Sequence, residues 1–336
     1  MSSLRWIGAG AIALVLMGLS LDIGKAKAPH FSMPLSCVPK ETCFIQNYVD
    51  LDSSKEVRDY HCNKASYEGH KGTDFRLTSV RAMKRGVDVL AAAPGTIKAV
   101  RNDVRDRLLS GPLPAALKGR ECGNGLVIDH GEGWESQYCH MRRGSLLVKD
   151  GDKVTRGQKL GLVGLSGKTA FPHLHHAIRH EGKVIDPFNG NSPTTDSCSL
   201  KSGAALYEAK IIKQFPYRSG QLFLHGFAVE GAISALLMDR GAMVTPASTN
   251  APALVYYAQV LNLQKGDQLH IQLMSPKGLL AQSKSEPMKK NKADYMSFAG
   301  KRRISFAWPK GTYTGTVSLL RGGKTLWQKS EELMLK

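Results

Sequence analysis

No Cys-x-x-Cys pair occurs among the 6 cysteines of this chain, which removes the usual cysteine-built zinc site. Acidic residues are scarce. Against 46 Lys and Arg stand 28 Asp and Glu, a formal net charge of +18 over 336 residues. Such an excess favours anionic partners, but no recognisable nucleic-acid motif accompanies it, so nucleic acid is set aside as a partner. Long apolar runs are also missing. The stretch from Ile7 to Leu21 falls short of the roughly 20 residues that span a bilayer comfortably. With Arg5 before it and Ala26-Lys27-Ala28 ahead of Pro29, it has the layout of a secretory signal over residues 1–28, cleaved after Ala28. A retained N-terminal anchor is the competing reading. Cys37 lacks a lipoprotein signal, because Pro34 stands where a leucine would be expected. Cleavage leaves no stable membrane span and a chain that is still strongly basic.

Export changes how the cysteines are read. Cys37, Cys43, Cys62, Cys122, Cys139 and Cys198 all follow the leader, and an even set in an oxidising compartment implies disulfides. A hairpin around Asp129 to Glu135 would bring the Cys122 and Cys139 segments together, so that bridge is expected; the remaining pairing is open. Cys139 adjoins His140, and neighbours on one strand face opposite ways. The thiol is therefore turned away from anything His140 approaches.

Two fragments carry the chemistry: His70-Lys71-Gly72-Thr73-Asp74 and Pro172-His173-Leu174-His175-His176. With 11 histidines in the chain, a His-x-His arises by chance about 0.36 times, so the motif alone is weak. On a strand, however, residues two apart share a face, so His173 and His175 converge while Leu174 faces the core. Gly72 and Thr73 argue for a strand or loop around His70 and Asp74, again placing both on one side. A hydrolytic zinc takes three nitrogen or oxygen ligands and leaves one position open. His70, Asp74 and one histidine of the second fragment meet that need, and the other is free for proton transfer.

From Tyr67 to Phe188 the chain resembles the lysostaphin/LytM-type zinc metallopeptidases, which cut peptidoglycan cross-links. The blocks fall in the family's order: His70-x-Gly72-x-Asp74, Val89 to Ile97, Gly123 to Gly131, Tyr138-Cys139-His140-Met141, Gly151 to Gln158, Gly161 to Gly164, and Pro172-His173-Leu174-His175. The resemblance implies that His70, Asp74 and His175 bind Zn2+ and that His140 and His173 are unligated catalytic histidines. Phe171 departs from a usual Gly, and His176 takes a position often held by an aromatic residue; both bear on substrate preference. His61, His130 and His180 match no motif position and read as structural or exposed. Some relatives have lost ligands and activate other wall hydrolases, so a catalytically silent regulator or wall-binding adaptor is the alternative. Here all five positions are filled, which favours the enzyme.

The fold class expected is all-β. After the signal and an N-terminal extension (29–66), the resemblance implies an antiparallel β-roll peptidase domain of the duplicated hybrid motif type over residues 67–192. The polar stretch 191–202 reads as a linker. A smaller β-sandwich-like domain follows over 203–336, where Leu269, Ile271 and Leu273 alternate with Gln268, His270 and Gln272, a half-buried strand pattern. Its basic clusters, Lys289-Lys290-Asn291-Lys292 and Lys301-Arg302-Arg303, are either solvated turns or contacts to acidic groups. The segment Asp103 to Glu121 is too long for a hairpin and is either a groove wall or a surface loop. The expected partner is peptidoglycan, with protein regulators left open, and the expected place is the periplasm or outside the cell.

Overall fold

The computed structural model describes residues 28–109, 111–196, 198, 204–229, 233–242 and 248–336. The expected signal segment lies almost wholly outside them. Among the described residues no helix is long and apolar enough to cross a membrane.

The first half contains β1 (Cys43–Asn47), β2 (Thr73–Leu77), helix α1 (Val80–Arg85), β3 (Asp88–Leu90), β4 (Gly95–Arg101), β5 (Asn124–Gly131) and β6 (Trp134–Met141). It continues with β7 (Lys153–Val154), β8 (Lys159–Leu162), β9 (His173–His180) and β10 (Lys183–Ile185). The main sheet runs β1-β2-β9-β6-β5-β4-β7, with β10 against β9, and β3 pairs with β8 in a small second sheet. Every pairing is antiparallel. Alternation decides what each strand buries. On β2 and β9, Phe75, Leu77, Leu174 and Ile178 enter the core, each at most 1% exposed, while Asp74, His173 and His175 stand on the other face.

The core extends beyond the motif blocks at both ends. Phe31, Leu35 and Ile45 pack into it from the N-terminal side, and Leu206, Tyr207, Ile211 and Phe215 from beyond the polar stretch. Burying side chains of this size stabilises the fold by about 1.5–3 kcal/mol each. The stretch expected to act as a linker is laid against the first half instead: the Thr194 amide donates to Leu51 O at 3.0 Å, and Cys198 is disulfide-bonded to Cys62. Cys122 and Cys139 form the expected bridge, and Cys37 pairs with Cys43.

The second half contains α2 (Ala209–Gln214), β11 (Gln221–Ala228), α3 (Ile233–Arg240), β12 (Ala253–Leu263) and β13 (Gln268–Ser275). The chain ends through β14 (Gly278–Lys284), β15 (Lys292–Arg302), β16 (Gly311–Arg321) and β17 (Lys324–Leu335). Sheet β11-β12-β15 faces sheet β14-β13-β16-β17. Leu254, Tyr256, Ala258 and Val260 of β12 and Leu269, Ile271 and Leu273 of β13 share one core with Tyr313, Val317 and Leu319. This is a β-sandwich, so the all-β reading holds in both halves. The sandwich rests on β1, the edge of the main sheet: Phe44 meets Phe223 at 4.8 Å between ring centroids, and Asn262 Nδ2 donates to Gln46 O at 2.7 Å. An edge covered in this way is closed to pairing with another chain.

Candidate metal centre

Cross-strand register builds the centre. Antiparallel pairing sets Asp74 on β2 opposite His175 on β9, and Arg76 opposite His173. His70 approaches from the loop before β2, which passes beneath the His175 ring; a Cβ on Gly72 would lie 2.7 Å from His175 Nε2 and 2.8 Å from His176 O. Only glycine fits there, which is the physical reason for the glycine in His70-x-Gly72-x-Asp74.

The three side chains meet in a triangle. His70 Nε2 lies 3.1 Å from Asp74 Oδ1 and 3.1 Å from His175 Nδ1, and His175 Nδ1 lies 2.9 Å from Asp74 Oδ1. Ligands about 2.0–2.1 Å from a tetrahedral zinc are about 3.3 Å apart, so the triangle is within a few tenths of an ångström of one face of that tetrahedron. The donor set of two imidazoles and a carboxylate fits the same ion. Two of the three side chains are also held from behind. His70 Nδ1 donates to Tyr48 O at 2.7 Å, which leaves Nε2 as the lone pair turned inward, and Asn47 Nδ2 donates to Asp74 Oδ2 at 2.8 Å.

His140 and His173 stand beside the triangle, with ring centroids 4.5 Å apart. His140 Nδ1 donates to Ser166 O at 2.8 Å and His173 Nδ1 to Phe171 O at 2.9 Å, so both rings keep an Nε2 lone pair. His173 Nε2 is 3.6 Å from Asp74 Oδ1. His140 takes a left-handed backbone, φ 61°, a conformation that costs a non-glycine residue on the order of 1 kcal/mol. Bonds on both sides hold it there: the His140 amide to Cys122 O at 2.8 Å and the Gly164 amide to His140 O at 3.0 Å.

Burial and neighbours set the charge states. Desolvation first, then the neighbouring histidines, push His140 well below the ordinary histidine pKa; desolvation likewise lowers His173 and His175, against the pull of Asp74. Burial would raise Asp74, but the His70 and His173 charges and two histidine hydrogen bonds together hold it well below the usual carboxylate range. The site therefore presents an ionised carboxylate with neutral His140, His173 and His175 rings near pH 7, while for His70 burial is outweighed by the pull of Asp74 and the Tyr48 carbonyl, which raises the pKa. A cleft of about 210 Å³ opens onto it, lined by Tyr67, Lys71, Glu121, Lys168 and Arg179 with His70, His140 and His175.

Some residues fall elsewhere than the sequence suggested. His176 does not flank the groove. Alternation turns it to the core face, where Nδ1 meets the Tyr207 hydroxyl at 2.8 Å and burial, with His130 and His175, lowers its pKa to about 3. It therefore contributes packing rather than substrate preference. Phe171 does adjoin the site, its ring 4.6 Å from that of His173. His130 is fixed between Pro94 O and the Ser136 hydroxyl, His180 stacks on Trp134 and His61 on Tyr217. The described part of the Asp103 to Glu121 segment is a wall: Val104 exchanges two hydrogen bonds with the Asn124 side chain, Leu109 N donates to Thr169 O, and Glu121 reaches the cleft. Sequence reading missed Tyr48 and Asn47, which lie outside every motif block and carry no spacing signal.

Residues 68–187 match the model of Peptidase family M23. The chain is 31% identical over 154 residues to the peptidoglycan DD-endopeptidase ShyA of Vibrio cholerae, covering 46% of this chain and 30% of that protein. It is 29% identical over 129 residues to the DD-carboxypeptidase/endopeptidase Mpg of Neisseria meningitidis serogroup B, covering 38% of this chain and 24% of that one. It thus spans less than a third of either relative. Among solved structures, a zinc containing peptidase from Vibrio cholerae superposes with a TM-score of 0.33 and 25% identity, covering 47% of this chain and 39% of that one.

Proposed function

We propose that this chain is an exported zinc-dependent endopeptidase that hydrolyses the peptide cross-links of bacterial peptidoglycan, with residues 67–192 as its peptidase domain. One observation carries the reading: Asp74 Oδ1 lies within 3.1 Å of His70 Nε2 and His175 Nδ1 and 3.6 Å from His173 Nε2, beside a cleft. His70, Asp74 and His175 hold the zinc, which when bound supplies Lewis-acid polarisation of a peptide carbonyl and lowers the pKa of water toward about 7.

The chain's own groups do the rest. His140 and His173 offer neutral Nε2 atoms, of which one accepts the proton of the attacking water, while the other donates to the developing oxyanion or the leaving amine only once its own Nε2 has taken up a proton from solvent. Tyr48 and Asn47 hold ligand orientation, and the wall ending at Glu121 limits entry to the cleft. The basic second half, residues 203–336, positions the enzyme on its anionic substrate. The DD-endopeptidase activity named for ShyA supports the substrate class, and the three disulfides, with the leader expected over residues 1–28, support the periplasm.

A sacculus zymogram tests the reading. Clearing that appears with zinc, disappears with a chelator and is absent for His140→Ala supports it. Activation of a separate wall hydrolase, with no clearing by this chain alone, would point to the silent regulator.

A further inference from the structure

Between β15 and β16 the chain turns through Arg303-Ile304-Ser305-Phe306-Ala307-Trp308. This loop is fastened from below. Arg303 N donates to Pro252 O, Trp308 N to Thr249 O and Trp308 Nε1 to Ala251 O, each at 2.8 Å. The Arg303 guanidinium donates to the carbonyls of Ser305 and Phe306 and to Ala251 O, and it makes no ion pair among the described residues. A backbone fixed in this way keeps two apolar side chains out of the core: Ile304 is 100% exposed and Phe306 95%. Nothing ordinary is gained by it, because a chain free to move would cover those atoms.

The charged residues on either side of the loop in the chain carry one sign. Lys301 and Arg302 are exposed at the end of β15 and Lys310 lies just past the loop. None of the three forms an ion pair with a described residue, and no Asp or Glu occurs between Asp294 and Glu331.

We propose that this loop docks the protein on an anionic phospholipid surface. Ile304 and Phe306 enter the boundary between headgroups and acyl chains, while Lys301, Arg302 and Lys310 rest among the lipid phosphates. A bilayer sets an apolar layer directly beneath an anionic one, which matches two exposed apolar side chains flanked in the chain by exposed basic residues. An anionic wall polymer would satisfy the lysines and offer an isoleucine nothing apolar. A stable protein interface buries about 800 Å² on each side, which two side chains do not supply. The inference is independent of the peptidase reading, since the loop lies outside the catalytic half.

Co-sedimentation with vesicles of phosphatidylcholine, with and without phosphatidylglycerol, tests it. The protein should begin at residue 29, so that the apolar stretch Ile7 to Leu21 does not partition by itself. Binding is expected to the anionic vesicles and to weaken with salt. Ile304→Ser/Phe306→Ser should lower the partition by about tenfold or more, and Lys301→Gln/Arg302→Gln by about fivefold per charge. Both variants should keep the wild-type unfolding temperature, because these side chains are exposed. Wild-type binding by Ile304→Ser/Phe306→Ser, or equal and salt-insensitive binding to both vesicle types, would overturn the proposal. So would a dimer formed without lipid and dissolved by Ile304→Ser/Phe306→Ser, which would assign the loop to a second copy of the chain.

Discussion

Arg76, two residues along β2 from Asp74, is paired through Nη1 with Asp294 on β15 at 2.6 Å. The same guanidinium lies 4.6 Å from the centre of the Phe171 ring and 4.4 Å from that of Phe223. The Phe171 ring in turn lies tilted against that of His173, and the Phe171 carbonyl accepts the His173 Nδ1 hydrogen. A carboxylate of the sandwich thus reaches a histidine of the cleft through one arginine and one aromatic ring. Burial alone lowers the Arg76 pKa, and the Asp294 charge and hydrogen bond offset that pull.

Removing this carboxylate leaves a buried guanidinium without its partner. Asp294→Ala is expected to destabilise the protein by about 1–3 kcal/mol, less than a fully buried pair because Asp294 is itself one-third exposed. Hydrolysis should fall while zinc content stays unchanged, and Asp294→Glu should restore part of both. Unfolding and activity both at wild-type level would show that the pair does not communicate with His173.

Asn47 donates to Asp74, one of the three proposed ligands. Asn47→Ala frees the Oδ2 atom and should weaken zinc affinity about 10- to 100-fold, as is usual when the group behind a ligand is lost. Competition with a chromogenic chelator measures it, and an unchanged affinity would remove Asn47 from the site.

Asp186 gives the fold a pH dependence. Burial is the main cause that raises its carboxyl to about 7; Oδ1 accepts from the Phe188 and Asn189 amides, and Oδ2 has no partner. The folded chain keeps this proton up to about pH 7, whereas the unfolded chain releases it near the ordinary aspartate value of 3.8. Between those values the folded state binds more protons, so this group's contribution is fully present below about pH 4 and is lost as pH rises toward 7. Asp186→Asn, compared with wild type by denaturant unfolding, should gain relative stability from pH 4 to pH 7, up to a few kcal/mol. A difference that is the same at both pH values would contradict this.

The Cys122–Cys139 bridge fastens the segment that holds His140 in its left-handed backbone. Cys122→Ser/Cys139→Ser is expected to cost about 3 kcal/mol for a loop of this length and to reduce hydrolysis more than zinc content. An equal fractional loss of both would make the bridge a general support only.

The site was legible because its strands carry it in the period of two. His173 and His175 share a face by alternation, and Asp74 reaches them by register; which histidine would ligate, and the role of His140, came only from the family resemblance. Packing against distant segments was not legible. Leu206, Tyr207, Ile211 and Phe215 lie beyond a polar stretch that looks like a linker, yet they fill the first core. A chain cut near Ser192 would lose them together with the Cys62–Cys198 bridge. His176 was misplaced because its chemistry suggested the groove, while the strand that puts His175 there turns its neighbour inward. Arg76 gave no signal, since its partner is 218 residues away.

The most direct test is the muropeptide profile of purified sacculi after digestion. With zinc present the protein should convert cross-linked dimers to monomers; a chelator should stop the conversion and added zinc restore it, and His140→Ala and His173→Ala should retain metal yet act about 10² to 10⁴-fold more slowly. A dimer fraction that stays constant with the zinc-loaded wild-type protein would contradict the assignment.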